Sequence, residues 1–279
     1  MNAGVRLAGV GLLTGWGDGA GALPAEARVA AAGRAVLPLA RPSVAGERFR
    51  RATRECLLGV QAVSAALADA GLDREAIRGD GTALIYVTAG AYGASNAGFI
   101  GAGVASPARA EGGSAGPLHF PYTAPSALPG EVAIEFGLTG AYVILIGGAP
   151  ATIDALWQAG LLLAQGRCER ALVLAVETFE ECEALWRRAR WTLPLPLVET
   201  AACALLVAGA APAAYRAVAG AGPLERAVET RAGRTLAAAP LVALALARAA
   251  GERAARVTGS WRGRTASIEL TLSGHTAQV

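Results

Sequence analysis

Residues 141–176 read AYVILIGGAPATIDALWQAGLLLAQGRCERALVLAV. The run predicts a strand, a tight turn, a helix and a second strand, in this order: residues 141–146, Gly147-Gly148, residues 150–165 and residues 170–176. A helix that connects two buried strands is typical of a parallel sheet. The stretch therefore predicts an α/β fold.

The pattern continues on both sides of this unit. Residues 54–71 carry apolar side chains at helical spacing, and Gly71 suits the end of that helix. Residues 82–88 form a near-continuous apolar run, which is typical of a strand buried on both faces. Further strands are predicted at 5–10, 200–208, 213–219 and 265–271, and further helices at 130–137 and 237–251.

The composition excludes several classes of protein. Of the 279 residues, 53% are hydrophobic and 17% are charged, so the chain can bury a large core and is not intrinsically disordered. The longest apolar runs are interrupted before 18 residues, so no membrane span is expected. A net charge of +3 without a basic stripe argues against binding to nucleic acid. The N-terminus lacks the layout of a signal peptide, and we expect a cytoplasmic protein.

Few residues suited to metal binding or imidazole chemistry are present. The chain has two His and four Cys, and no Cys pair has CxxC spacing. We therefore expect no metal site and no cofactor. Cys56 and Cys203 lie in apolar runs and are interpreted as buried structural thiols.

Five collinear segments resemble the β-ketoacyl synthases of the thiolase fold. The most specific is residues 116–140, GPLHFPYTAPSALPGEVAIEFGLTG, which is similar to the family's FPNTVPN segment and the helix after it. The first segment carries a Gly-rich turn with Gly9, Gly11, Thr14 and Gly17. The other segments are residues 141–177, 234–250 and 259–271.

The resemblance implies an α/β thiolase-like fold, layered α-β-α-β-α with mixed sheets, in which the C-terminal half is reduced. Residues 1–219 would form the synthase-like N-terminal region, and residues 220–279 a shortened C-terminal region within one compact unit. A family member of ordinary length has roughly a hundred more residues where this chain has the short stretch between Ala219 and Arg234.

The catalytic groups of the family are missing from the matching positions. Aligning residues 140–166 with the family places the nucleophile at Ala149, or at Gly148 if the register shifts by one. Gly147, Gly148 and Pro150 would retain the turn whose backbone N–H groups stabilise an oxyanion. Neither catalytic His of the family has a counterpart, and the chain has no Lys. No catalytic residue is therefore assigned.

Other polar residues are weak candidates for catalysis. His119 is interpreted as a surface or interface residue, His275 lies in the C-terminal tail, and Cys182 follows acidic residues that would raise its pKa. An acidic run is interpreted as a solvated face: Glu177, Glu180, Glu181 and Glu183. The arginines that would pair with it are Arg187, Arg188 and Arg190. Trp186 and Trp191 lie among those arginines and form either a patch that faces a partner or ordinary surface and core.

Three functional hypotheses follow. In the first, the chain resembles a chain-length factor of polyketide or aryl polyene synthesis: non-catalytic, paired with an active β-ketoacyl synthase subunit, and served by an acyl carrier protein. Its pocket wall or interface would include Phe120, Pro121, Tyr122, Thr123 and Pro125. In the second, it is a thiolase-fold enzyme that acts on acyl thioesters with non-standard residues. In the third, it is a homodimer that only binds an acyl carrier protein.

Overall fold

Strands and helices alternate along the chain in a computed structural model. The structure describes residues 4–50, 52–90, 123–179, 183, 187–188, 195–210 and 213–273. The strands are β1 (Gly4–Thr14), β2 (Gly17–Asp18), β3 (Val36–Leu37), β4 (Thr82–Thr88), β5 (Tyr142–Ile146), β6 (Arg170–Glu177), β7 (Leu197–Val198), β8 (Thr200–Gly209), β9 (Ala214–Ala217), β10 (Ala254–Trp261) and β11 (Arg264–Leu272). The α-helices are α1 (Ala27–Ala30), α2 (Arg54–Ala70), α3 (Ala127–Phe136), α4 (Ala149–Ala164), α5 (Pro223–Ala232) and α6 (Ala239–Ala249).

Nine of these strands form one mixed sheet, in the order β10-β11-β1-β8-β6-β4-β5, with β2 beside β1 and β9 beside β11. Strands β5, β4 and β6 are parallel, as the unit at residues 141–176 predicts. Strand β8 runs antiparallel to both β6 and β1. Strands β3 and β7 form a separate parallel pair. The sheet is continuous from β1 to β11, and a boundary at residue 219 stays a prediction.

Helix α2 shows how closely the sequence specifies local structure. The Thr53 hydroxyl caps its N-terminus by accepting from the Cys56 N–H, and Gly71 ends it in the left-handed conformation. Gly9 and Gly11 of β1 let the helix lie directly on the sheet. A Cβ at Gly9 would lie 2.3 Å from the Ala66 oxygen, and one at Gly11 would lie 2.1 Å from the Ala62 oxygen. Close packing of helix on strand therefore explains Gly9 and Gly11 of the N-terminal motif.

The helices pack on both faces of the sheet. Helices α2 and α3 cover one face with an apolar core that includes Leu84, Leu174 and Phe136. Helices α4 and α6 cover the other face, and both also contact β10, while α4 contacts β11 as well. The sheet thus curls around α4 and α6, which lie between its two ends.

In the described residues the layers follow one another as helix, sheet, helix and sheet, as in the layered α-β-α-β-α arrangement that the resemblance implies. The outward face of β10 and β11 carries polar residues, including an exposed pair between Arg256 and Glu269 at 2.9 Å. Helix α5 lies against part of β10, because the Ser260 hydroxyl donates to the Glu225 carboxylate at 3.2 Å. Between Ala217 and Arg234 the chain has room only for α5, which packs beside α6. The strands around α4 are therefore retained in the reduced C-terminal half.

Two elements differ from the sequence-based expectation. Residues 254–261 form strand β10, where the sequence predicts a strand only from residue 265 onward. The helix predicted at 237–251 begins as a 3-10 turn at Leu236–Ala238 and becomes α-helical from Ala239. None of the helices in the described ranges is both long and apolar enough to cross a membrane.

Candidate functional site

The turn between β5 and α4 lies at the carboxyl end of the parallel strands, the usual place for a ligand site in an α/β sheet. The Gly147 N–H donates to the Thr88 oxygen at 2.8 Å, which ties the turn to the neighbouring strand β4. Gly148 is the N-cap of α4, Ala149 is its first residue, and Pro150 lies in its first turn. A helix N-terminus presents unpaired N–H groups and a partial positive charge, so the backbone of the predicted turn has the geometry of an anion-stabilising site.

The space in front of this turn is filled by strand β10. A Cβ at Gly148 would lie 2.3 Å from Cγ of Trp261 and 2.4 Å from its Cδ2. Carbon atoms in contact are normally 3.5–4.0 Å apart, so the indole lies directly on the Gly148 backbone. Gly259 approaches as closely, because a Cβ there would lie 2.6 Å from the carbonyl carbon of Ala149. Ala149 is only 4% exposed as a result.

Side-chain contacts hold both the turn and Trp261 in place. The Thr152 hydroxyl, one turn into α4, donates to the Ala237 oxygen at 2.6 Å. Trp261 ends β10, and the guanidinium of Arg262 lies 5.6 Å from the centre of its ring. The turn and the indole are therefore fixed relative to each other by neighbours on both sides.

Glu177 ends β6 at the same edge of the parallel sheet as this turn, and it is buried. It is 3% exposed and accepts the Ala89 N–H at 2.6 Å. The backbone of Ala237 and the Thr88 hydroxyl also donate to it. Burial raises the pKa of Glu177 to about 8, and the three hydrogen bonds oppose that shift.

The placement of Glu177 corrects the interpretation of the acidic run as a solvated face. Glu177 ends a wholly apolar strand at the carboxyl edge of the parallel sheet, and that position is the signal that could have identified it. Glu183 does fit the solvated interpretation, because it forms an exposed pair with Arg187 at 2.5 Å. Glu180, Glu181, Cys182, Trp186, Arg190 and Trp191 lie outside the described residues.

Comparison with known proteins gives the same family as the sequence motifs. The family model of the β-ketoacyl synthase N-terminal domain matches residues 41–193, which is more than half of the chain. This chain belongs to the β-ketoacyl synthase family. No curated protein sequence matches it significantly.

Several solved structures of ketosynthases have the same fold as this chain. The ishigamide ketosynthase/chain length factor is 17% identical, with a TM-score of 0.71 over 97% of this chain and 100% of that chain. A chain of AntDE:AntF, a type II PKS acyl-carrier protein in complex with its ketosynthase bound to the hexaketide, is 14% identical, with a TM-score of 0.75 over 98% and 100%. A β-ketoacyl synthase from Burkholderia phymatum STM815 is 14% identical, with a TM-score of 0.68 over 96% and 99%. The thiolase-like α/β fold is thereby confirmed.

The remaining candidates in this synthase-family chain are structural where the structure describes them. Cys56 and Cys203 are buried, as expected, and Cys168 is buried too. Burial raises the pKa of Cys56 to about 11 and also raises the pKa of Cys203 and Cys168, so none of these thiols is activated. His119 and His275 lie outside the described residues. In the described ranges no three His, Cys, Asp or Glu side chains group together as metal ligands do.

A buried ion pair near the site has a structural role. Glu199 is fully buried and binds Arg54 through both carboxylate oxygens, at 2.8 and 2.9 Å. The same carboxylate accepts the N–H groups of Leu39 at 2.7 Å and Phe179 at 2.6 Å. Four donors on one carboxylate join α2, the start of β8 and two loops.

The predicted interface segment is described in part. Thr123 and Pro125 are half-buried and precede α3, whereas Phe120, Pro121 and Tyr122 lie outside the described residues. The Tyr142 hydroxyl donates to the Ser126 oxygen at 3.2 Å, which brings the end of this segment beside β5. Its role in a pocket wall or an interface stays a prediction.

Proposed function

We propose that this synthase-family chain is a non-catalytic subunit of the chain-length-factor type, which pairs with an active β-ketoacyl synthase and helps to shape the pocket for its acyl chain. The observation that carries the proposal is the filled turn at Gly148 and Ala149. The position that aligns with the nucleophile has no reactive side chain, and Trp261 and Gly259 pack on its backbone. Both therefore occupy the space through which a thioester carbonyl would approach the turn.

The edge of the sheet supports the pairing. Strand β5 is the last strand of the sheet, and in the described residues it pairs only with β4. Its sequence YVILI reads as a buried strand, yet Tyr142 and Ile146 are exposed, Ile146 to 60%. An apolar edge strand with a free hydrogen-bonding edge is a favourable site for strand pairing with another chain.

The comparisons support the choice of partner and pathway. The similar structures include a ketosynthase/chain length factor and a ketosynthase bound to its acyl-carrier protein. By this analogy the partner is a β-ketoacyl synthase that supplies the Cys and both His, and the acyl chain arrives on an acyl carrier protein. The reaction served would belong to polyketide, aryl polyene or related fatty-acid-like synthesis.

Co-expression tests the proposal. The chain is produced alone and together with a full-length synthase encoded by a neighbouring gene, and each sample is analysed by size-exclusion chromatography with light scattering. We expect a one-to-one complex that condenses acyl thioesters, and no turnover by the chain alone. A stable homodimer that turns over acyl thioesters by itself would contradict the proposal and favour an enzyme with non-standard residues. A stable, inactive homodimer that binds acyl carrier protein would contradict it too.

A pair of matched variants locates the interface. Ile146→Arg places a charge on the exposed edge of β5 and should abolish the complex, because a buried unpaired charge is not tolerated at an interface. Val29→Arg makes the same change at a valine of α1 that is 69% exposed and should leave the complex intact. Equal amounts of complex with both variants would place the partner elsewhere.

A further inference from the structure

A second polar site lies at the opposite end of the sheet from the turn at Gly148. A cavity of about 300 Å³ is lined by Arg6, Ala8, Asp69, Ala70, Leu72, Arg170, Val207, Arg248 and Ser273. Arg170 begins β6 and Glu177 ends it, so the two ends of the sheet are about 23 Å apart along the strand. The cavity is therefore separate from the candidate acyl site.

The register of the sheet brings two of these arginines together. Arg6 of β1 and Arg170 of β6 both pair with Val207 of the strand between them. Residues paired across adjacent strands place their side chains on the same face. The two Cα atoms are therefore about 10 Å apart, which is two strand spacings. Two guanidinium groups on side chains this far apart can converge on one small group above Val207.

The charges that line the cavity do not balance, since three guanidinium groups face one carboxylate. Asp69 is already engaged: Nε of Arg248 lies 2.7 Å from it, and it accepts the Val10 N–H at 2.8 Å. Arg248 is 7% exposed and also donates to the Ser273 oxygen at 3.0 Å, so this ion pair forms a fixed wall. The positive charges of Arg6 and Arg170 remain on the open side.

The contacts of those two arginines leave them able to bind a ligand. Arg6 donates to the hydroxyl of Ser273, which orients its guanidinium without neutralising it. Arg170 lies 3.1 Å from Glu169, but that carboxylate is 76% exposed, and an ion pair in such contact with water is weak. A multivalent anion in the cavity would compete well for both groups.

We propose that this cavity binds a phosphate group, either as the free ion or as a small phosphate ester. Guanidinium groups bind phosphate oxygens in a two-pronged geometry, and a phosphate dianion matches the two charges offered by Arg6 and Arg170. The cavity is at the lower limit of ordinary ligand pockets, so it suits a phosphate group with only a short organic part. The site is independent of the pairing proposed above.

Calorimetric titration in a phosphate-free buffer tests this assignment, with inorganic phosphate and glycerol 3-phosphate as probes and glycerol as the uncharged control. We expect both phosphates to bind and glycerol not to bind. Tighter binding of the ester would identify an ester as the ligand, and tighter binding of inorganic phosphate would identify the free ion. Arg6→Gln and Arg170→Gln should each weaken binding at least about tenfold, since each removes one charged donor.

Arg226→Gln is the matched control, because this exposed arginine of α5 lies outside the cavity and its side chain donates to the Ala221 oxygen. It should bind phosphate as the unaltered chain does, and the melting temperatures of all three variants should confirm that they fold. Absence of phosphate binding by the unaltered chain would overturn the proposal. An equal loss of affinity in Arg226→Gln would also overturn it, because the effect would then reflect net charge alone.

Discussion

The contact between Gly148 and Trp261 can be measured as a coupling energy. In Gly148→Ala the new Cβ would lie 2.3 Å from the indole, so the ring must move by about 1.2 Å to reach ordinary contact. Overpacking of this kind typically costs about 1–3 kcal/mol of unfolding free energy. Trp261→Ala alone also destabilises the chain, because it removes a half-buried ring from the packing around α4.

The double variant separates the clash from general damage. Once the ring is gone, the alanine at position 148 has room, so Gly148→Ala should cost little or nothing in the background of Trp261→Ala. The coupling energy should therefore be about 1–3 kcal/mol, measured by urea denaturation of the four proteins. Gly130→Ala is the control, since a Cβ at this helical position meets no atom within 4 Å, and it should stabilise α3 by about 0.5–1 kcal/mol. If the effects of the two changes simply add to within about 0.5 kcal/mol, the turn is not covered by Trp261 and the proposed reason for inactivity fails.

Three further predictions concern the residues around the site. Burial raises the pKa of Glu177 to about 8 from 4.5, so the folded state holds this proton more tightly than the unfolded state. The free energy of unfolding should therefore fall as the pH rises from 4.5 to about 8, by up to about 1.4 kcal/mol per pH unit. Glu177→Gln should remove this slope in thermal melts from pH 5 to 8.5. Glu199→Ala should cost about 3–5 kcal/mol in urea denaturation, because it leaves the Arg54 charge buried without its carboxylate; a cost under 1 kcal/mol would show that water reaches the pair. Ala149→Cys alone should give no condensation product, and mass spectrometry should show that its thiol reacts slowly with iodoacetamide. Adding Trp261→Ala should speed the alkylation at least tenfold. Equal rates of alkylation would show that Trp261 does not cover position 149.

Local signals specify much of the fold. The apolar period over residues 54–71 and the Gly at its end predict α2 within one residue of its observed ends. The strand–turn–helix–strand unit at 141–176 likewise predicts β5, α4 and β6 and their parallel order. These elements are encoded by residues close together in the sequence, so periodicity and turn chemistry are enough to find them.

The features that were not predicted depend on contacts between residues distant in sequence. Trp261 covers Gly148 from 113 positions away, and nothing in its own neighbours indicates this. Strand β10 is short of apolar residues on its outward side, so its sequence alone resembles a loop. Glu177 is buried because the backbone of Ala89 and Ala237 meets it at the end of β6, and only the assembled sheet brings them together.

The absence of a thiol at position 149 and the close packing above it reinforce each other. An active turn needs both a nucleophile and open space for the carbonyl that it attacks. Here Ala149 offers no nucleophile, and Gly148 and Gly259 let Trp261 and strand β10 approach the turn more closely than any side chain would permit. Restoring the thiol would leave the carbonyl without space, and removing the indole would leave the space without a thiol. We therefore expect no single substitution to recover a working site, and in the proposed function the exposed edge at β5 is the surface through which this fold acts, by pairing with a subunit that has both.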